Sequence, residues 1–187
     1  MNLPAKLGAR WLGIVIFALA VASGAGAQVL NSGARTITLQ AVLNDSITVS
    51  LSSNAVNFNL TAGNASNPGS TSVTATTTWL LKPSVGSLKL YAFFSSSTAA
   101  LTDGAGNNIP SADFQISDNA GPFNALTNTV PFGGANAGLQ LSSTPILGNN
   151  RSGSRSDVMN LNINLAPLPN LPATTYTGTL TIQAQAI

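Results

Sequence analysis

Apolar and polar residues alternate along most of this chain, and a period of two is the pattern of a half-buried β-strand. The stretch from Thr175 to Ile187 shows it most clearly. Its even-numbered residues are small or apolar, apart from the ring hydroxyl of Tyr176, and its odd-numbered residues up to Gln185 are Thr or Gln. No segment after residue 27 repeats apolar residues at helical spacing. The sequence therefore predicts an all-β protein.

Further strands follow the same rule, each with its apolar residues on one face. These faces carry Ile37, Leu39, Ala41 and Leu43; Ile47, Val49 and Leu51; Val56, Phe58 and Leu60; Val73, Ala75, Thr77, Trp79 and Leu81; Leu88, Leu90, Ala92 and Phe94; Phe114 and Ile116; Leu139 and Leu141; and Met159, Leu161, Ile163 and Leu165. Turns rich in Gly, Pro and Asn separate them. About nine short strands at this spacing predict an antiparallel immunoglobulin-like β-sandwich, with a closed barrel as the alternative.

The first 27 residues have the composition of a secretory signal peptide. Lys6 and Arg10 precede the apolar run from Trp11 to Ala22, and small residues follow up to Ala27. The apolar run is about a dozen residues long, short of the ~20 that a membrane-spanning helix needs. We therefore expect a secreted mature chain without a membrane span. Residues 28–45 would be an N-terminal arm or first strand, and residues 46–187 one sandwich domain.

The charge of the mature chain does not favour binding to a nucleic acid. The whole chain has seven Lys and Arg residues against five acidic ones. Loss of Lys6 and Arg10 with the signal peptide leaves 7 − 2 = 5 basic against five acidic residues, a net charge of zero. Because no basic stripe remains to neutralise phosphates, we predict no nucleic-acid partner.

Residue types also exclude most catalytic and metal chemistry. The chain has no Cys and no His, which rules out disulfides, thiol nucleophiles, His or thiolate zinc sites and Ser-His mechanisms. The segment from Asp103 to Asn108 resembles part of a calcium loop but lacks the closing Glu, so we interpret it as a Gly-rich turn. No spacing pairs two Asp residues as acid and base. We predict no catalytic residue, metal or cofactor, and no enzyme activity.

Two features go beyond a generic sandwich. The alternation keeps one parity from Ile37 to Leu51, and only Asn44 and Asp45 interrupt it. This indicates either one long bent strand or two successive strands with different partners. The strand from Thr175 onwards suits a sheet edge, where unpaired backbone groups accept another strand. An apolar, alternating arm is the kind of segment that adds to such an edge.

Two stretches near the ends of the mature chain carry a resemblance to a known family. The first is RTITLQAVLNDSITVS (residues 35–50) followed by AVNFN (residues 55–59), and the second is LPATTYTGTLTI (residues 171–182). They resemble the opening and closing strands of bacterial chaperone–usher pilins, especially the archaic branch that includes spore coat protein U-like domains. Residues 71–157 match this family only in general character.

The resemblance implies an incomplete immunoglobulin-like sandwich that a neighbour's N-terminal extension completes by donor-strand exchange. On this chain the donor arm would be Thr36 to Leu43, with Ile37, Leu39, Ala41 and Leu43 as the inserting side chains. The partners would be copies of the chain or other fibre subunits, and a periplasmic chaperone. Many such pilins carry a Cys at about the place of Ile47, and this chain departs from that pattern.

One group of aromatic residues indicates a different kind of site. Tyr91 and Phe93 lie beside Lys89 on the strand face opposite Leu90 and Phe94. If exposed, Lys89, Tyr91 and Phe93 would form a surface patch for a sugar or a protein partner. If the strand is central and covered on both faces, the two rings are buried, and we favour this interpretation.

These observations lead to two functional expectations. The first is a secreted structural protein of the bacterial surface, a pilus- or fimbria-like subunit that assembles by β-strand addition and resides in the periplasm, at the cell surface or in an extracellular fibre. The alternative is a self-contained extracellular β-sandwich that binds carbohydrate or acts in adhesion.

Overall fold

The computed structural model describes residues 34–187, and it confirms the all-β class. The predicted signal peptide and residues 28–33 lie outside the described residues. Two compact units are distinguished, one up to Ala41 and one from Val42 to Ile187. The described part of the first unit, residues 34–41, contains no strand or helix.

The second unit is built almost entirely of strands. They are β1 (Ser46–Leu51), β2 (Asn67–Pro68), β3 (Val73–Leu80), β4 (Ser87–Phe93), β5 (Leu101–Thr102), β6 (Asn108–Ile109), β7 (Phe114–Asp118), β8 (Phe123–Ala125), β9 (Gly138–Pro145), β10 (Ser152–Ile163) and β11 (Thr181–Ala186). Within residues 34–187 the one helical element is a single 3₁₀ turn, Ser111–Asp113. None of the described helices is long and apolar enough to cross a membrane.

Two antiparallel sheets form the sandwich. The larger has the order β1-β3-β10-β7-β8, with the short β2 paired to β10, and the smaller has the order β11-β4-β9. A separate hairpin joins β5 to β6. In the larger sheet Thr78 of β3 lies between Thr48 of β1 and Ser154 of β10. The polar residues of these strands therefore line up on the outer face, as the alternation requires.

The apolar face of each strand packs between the sheets. The main core consists of buried residues from both sheets and their loops: Val73, Ala75, Leu90, Ala92, Phe94, Ala100, Leu101, Ile109, Phe114, Ile116, Leu126, Ala137, Met159, Leu161, Ile163 and Leu165. A smaller cluster contains Trp79, Leu81, Leu88 and Ile146. The indole N–H of Trp79 donates to the carbonyl oxygen of Asn150 at 2.9 Å, so its one polar group is satisfied inside the core.

Three predicted strands differ from the structure. Residues 36–43 form no strand, and the segment around Val56 and Leu60 has only an isolated bridge from Phe58 to Gly69. The last strand begins at Thr181, six residues later than its alternation suggests. Val56, Phe58 and Leu60 are nevertheless half-buried against the core. Alternation thus indicated which side chains are buried, whereas ladder pairing needs a neighbouring strand as well.

Candidate functional site: an open groove

An open groove of about 960 Å³ runs along one side of the sandwich. One wall is formed by residues 51–60 and the other by residues 173–182, which we call the first and second walls. The floor consists of core side chains from both sheets: Val73, Phe94, Leu101, Phe114, Met159, Leu161 and Ile163. These floor residues are buried, and the walls above them carry polar residues such as Asn57 and Thr177 as well as apolar ones.

The first wall is held against the core by its alternate residues. The ring of Phe58 meets that of Phe114 edge-to-face, with the centroids 5.8 Å apart. Gly69 lies behind this wall, where a Cβ would come within 2.7 Å of Val56 Cγ1. The backbone N–H of Gly69 donates to Leu161 at 2.9 Å. The close approach of these segments fixes the wall without a continuous ladder.

The second wall begins with a feature of immunoglobulin-like sandwiches. The hydroxyl of Tyr176 donates to the carbonyl oxygen of Pro172 at 3.0 Å, as in a tyrosine corner, which stands at the start of the central strand of a three-stranded sheet. Thr177 then exchanges two backbone hydrogen bonds of 2.9 Å with Thr102. A Cβ on Gly178 would overlap the carbonyl oxygen of Ala100, so only Gly allows this crossing.

The strand that follows the second wall has a free edge. β11 pairs with β4 along its whole length, from Thr181 opposite Phe93 to Ala186 opposite Leu88. Within residues 34–187 no strand pairs with its other edge. In sandwiches of this class the strand after the tyrosine corner has a neighbour on each side. The groove reaches this edge at Ile182, and the rest of its second wall is the segment that precedes β11.

The arm residues singled out from the sequence are exposed. Ile37, Leu39 and Leu43 have exposed fractions of 85%, 88% and 80%, and Ala41 is exposed too. Large apolar side chains left in water are costly to the protein, since burying each would contribute about 1.5–3 kcal/mol. All four candidate donor residues thus have exposed side chains.

The aromatic group on β4 does not form a surface patch. Tyr91 and Phe93 are 5% and 9% exposed, because the ring of Phe132 covers them with centroid distances of 6.1 and 5.8 Å. Lys89 is half-buried. The interpretation of β4 as covered on both faces is confirmed. Among the aromatic residues of 34–187, Phe123 alone is exposed, at 48%.

The carboxylate of Asp103 accepts its hydrogen bonds from residues of its own turn. Oδ1 accepts hydrogen bonds from the backbone N–H of Ala105 at 2.8 Å and of Asn107 at 3.0 Å, and Oδ2 accepts one from the Asn107 amide at 2.6 Å. The bond from Asn107 is the main cause that lowers the pKa of Asp103. These bonds explain the residue types of the loop without a metal ion.

A polar cluster between the sheets was missed by the sequence reasoning. Arg155 Nε donates to Oδ1 of Asp157 at 2.8 Å, Nη2 forms an ion pair with the same oxygen at 2.8 Å, and Asp157 is 1% exposed. The Asn119 amide donates to the same oxygen at 3.0 Å. Burial first, and then the charge of Asp157, raise the pKa of nearby Asp118. The sequence does contain a signal for this cluster, because Arg155 and Asp157 lie on the same face of β10 as the buried Met159.

Comparison with known proteins identifies no relative: no protein-family model, no curated protein and no solved structure matches this chain.

Proposed function

We propose that this protein is a secreted structural protein of the bacterial surface, a subunit of a pilus- or fimbria-like fibre. In this fibre the N-terminal arm of one copy adds as a strand to the groove of the next copy. The single observation that carries the proposal is the open groove over the apolar core, which reaches the unpaired edge of β11 at Ile182. A periplasmic chaperone that covers the groove before assembly belongs to the same proposal.

The arm is short enough to lie within the groove and carries apolar residues on one face. The segment from Ile37 to Leu43 spans roughly 23 Å as an extended strand, and the ten residues of the first wall span up to about 33 Å. Ile37, Leu39, Ala41 and Leu43 would point to the apolar floor, while the free edge of β11 offers backbone partners. Burial of the three large side chains contributes roughly 5–9 kcal/mol before the cost of ordering the arm.

Chain connectivity favours a second copy over the same chain as the source of the arm. The arm joins β1 at Ser46, whereas the first wall starts at Leu51, the far end of β1. To reach Leu51, the arm of the same chain would have to run back along β1 for about 16 Å, which takes some five residues. Ala41 and Leu43 would be used in that return and would not reach the groove floor. The arm of a second copy has no such restriction.

Such an interface is heterologous, because a copy offers its arm to one neighbour and its groove to another. Interfaces of this kind give open filaments unless the rotation between copies closes a ring. The low charge of the mature chain suits this packing, since few charged groups lose water at the contacts. The carbohydrate-binding alternative has little support, because the candidate rings Tyr91 and Phe93 are buried.

The test uses point substitutions in the mature chain, starting at Gln28, with size-exclusion chromatography and light scattering. We expect the unsubstituted chain to form multimers and the double variant Ile37→Asp/Leu39→Asp to be a folded monomer. The matched control is Thr38→Asp/Gln40→Asp, which puts the same charges on the opposite face of the arm and should leave the multimers intact.

A mixing experiment tests the head-to-tail geometry. Leu180→Arg places a charge in the second wall, so this variant keeps its arm and loses its groove. Mixed with the arm variant, which keeps its groove, it should give heterodimers that grow no further. A stable monomer for the unsubstituted chain, or multimers that ignore the arm substitutions, would refute the proposal.

A further inference from the structure

The polar cluster between the sheets contains a buried hydroxyl without a protein partner. Thr77 is 3% exposed, and its Oγ1 has no hydrogen bond to any described residue. Thr77 lies directly opposite Arg155 in the pairing of β3 with β10, so both side chains point between the sheets. A buried hydroxyl left unpaired costs about 1–3 kcal/mol, and such groups in native proteins usually bind an ordered water.

A small cavity adjoins this hydroxyl. It has a volume of about 10 Å³ and is lined by polar residues of β3, β9 and β10 and by three residues of β4: Thr77, Ser142, Thr144, Arg155, Asp157, Leu88, Lys89 and Leu90. One water molecule needs about 10–15 Å³ and two to four polar partners. The cavity therefore has room for one water and for no larger ligand.

The polar atoms around the cavity have bonding capacity left for a water. Asp157 Oδ2 accepts one hydrogen bond, from Ser142 Oγ at 3.3 Å, while Oδ1 takes those from Arg155 and Asn119. Thr144 Oγ1 accepts from Arg155 Nη1 at 3.2 Å, and its own hydrogen remains free to donate. Donors and acceptors are both present.

We propose that this cavity is a binding site for one structural water, which connects Thr77 Oγ1 to the Arg155–Asp157 pair. The water accepts from or donates to Thr77, donates to Asp157 Oδ2 and accepts from Thr144. It joins β3 of one sheet to β9 of the other through β10. The inference is independent of the proposed fibre, because the cavity and the groove share no lining residue.

The variants Thr77→Val and Thr77→Ser in the mature chain distinguish a hydrated cavity from an empty one. Val has the shape of Thr without its hydroxyl. If the water is present, Thr77→Val removes one of its partners and lowers the Tm by about 2–4 °C. Thr77→Ser keeps the hydroxyl, so the water remains. If the cavity is empty, Thr77→Val removes an unsatisfied polar group and raises the Tm.

A high-resolution crystal structure of the unsubstituted chain provides the direct measurement. We expect a density peak within hydrogen-bond distance of both Thr77 Oγ1 and Asp157 Oδ2, retained in Thr77→Ser. No peak in the unsubstituted chain, or a higher Tm for Thr77→Val, overturns the proposal.

Discussion

At the scale of single residues, Gly178 shows how the second wall depends on a missing side chain. The carbonyl oxygen of Ala100 occupies the place of its Cβ. We expect Gly178→Ala to lower the free energy of unfolding by about 1–3 kcal/mol, the usual cost of overpacking, as measured by urea denaturation. Gly148→Ala is the control, because nothing lies within 4 Å of a Cβ there. Its effect should stay within about 0.5 kcal/mol, and equal effects would contradict the assigned crossing.

The raised pKa of the single residue Asp118 makes the free energy of unfolding depend on pH. Burial and Asp157 raise its pKa above the ordinary value, and burial raises that of Asp113. A carboxyl with a raised pKa binds its proton more tightly in the folded state. Its contribution to the free energy of unfolding is full below pH ~3.9 and is lost as the pH rises through the folded pKa.

Acidification from pH 7 to pH 4 should therefore leave the free energy of unfolding unchanged or raise it, as measured by urea denaturation at each pH. Asp118→Asn should be more stable than the unsubstituted chain at pH 7, because it removes a partly buried charge and its repulsion with Asp157, and it should show a smaller change in the free energy of unfolding between the two pH values. The pKa of Asp103 is lowered, so its contribution to the free energy of unfolding is lost on acidification, and only below pH ~4. A loss of stability between pH 7 and pH 4 would show that these environments are wrongly described.

At the scale of elements, the loop between β8 and β9 closes the outer face of the smaller sheet. Phe132 is half-buried and packs on Tyr91 and Phe93. We expect Phe132→Ala to lower the free energy of unfolding by about 1–3 kcal/mol, less than for a fully buried ring. Phe123→Ala, at an exposed edge strand, should cost less than about 1 kcal/mol. If the two variants lose the same stability, the loop does not cover the sheet as described.

The arm and the first wall show what alternation means for an element. Both have the strand pattern, yet residues 36–43 and 52–60 carry no regular strand. β3, with the same pattern, lies between β1 and β10. The difference is the presence of neighbours, because the period of two specifies a face and the backbone ladder needs a partner.

At the scale of the whole molecule, the groove between the first and second walls lies over buried core residues. We expect the folded arm variant Ile37→Asp/Leu39→Asp to bind a hydrophobic fluorescent dye in the groove, since the half-buried wall residues Val56, Phe58 and Leu180 offer it apolar contacts. A peptide of residues 34–45 should displace the dye and raise the Tm. A peptide of the same composition with Ile37 and Leu39 replaced by Asp is the control. Equal displacement by both peptides would mean that the groove does not select the arm.

The sequence alone determined the all-β class, the inward face of most strands and the buried position of Trp79, because apolar periodicity and burial have the same physical cause. It also excluded thiol, His and metal-thiolate chemistry through residue types. The tertiary structure decided the rest. The order of strands left β11 with a free edge, the close approach at Gly178 and Gly69 fixed the two walls, and Phe132, distant in sequence, covered Tyr91 and Phe93. These outcomes depend on which segments become neighbours, and a local pattern of one chain does not contain that information.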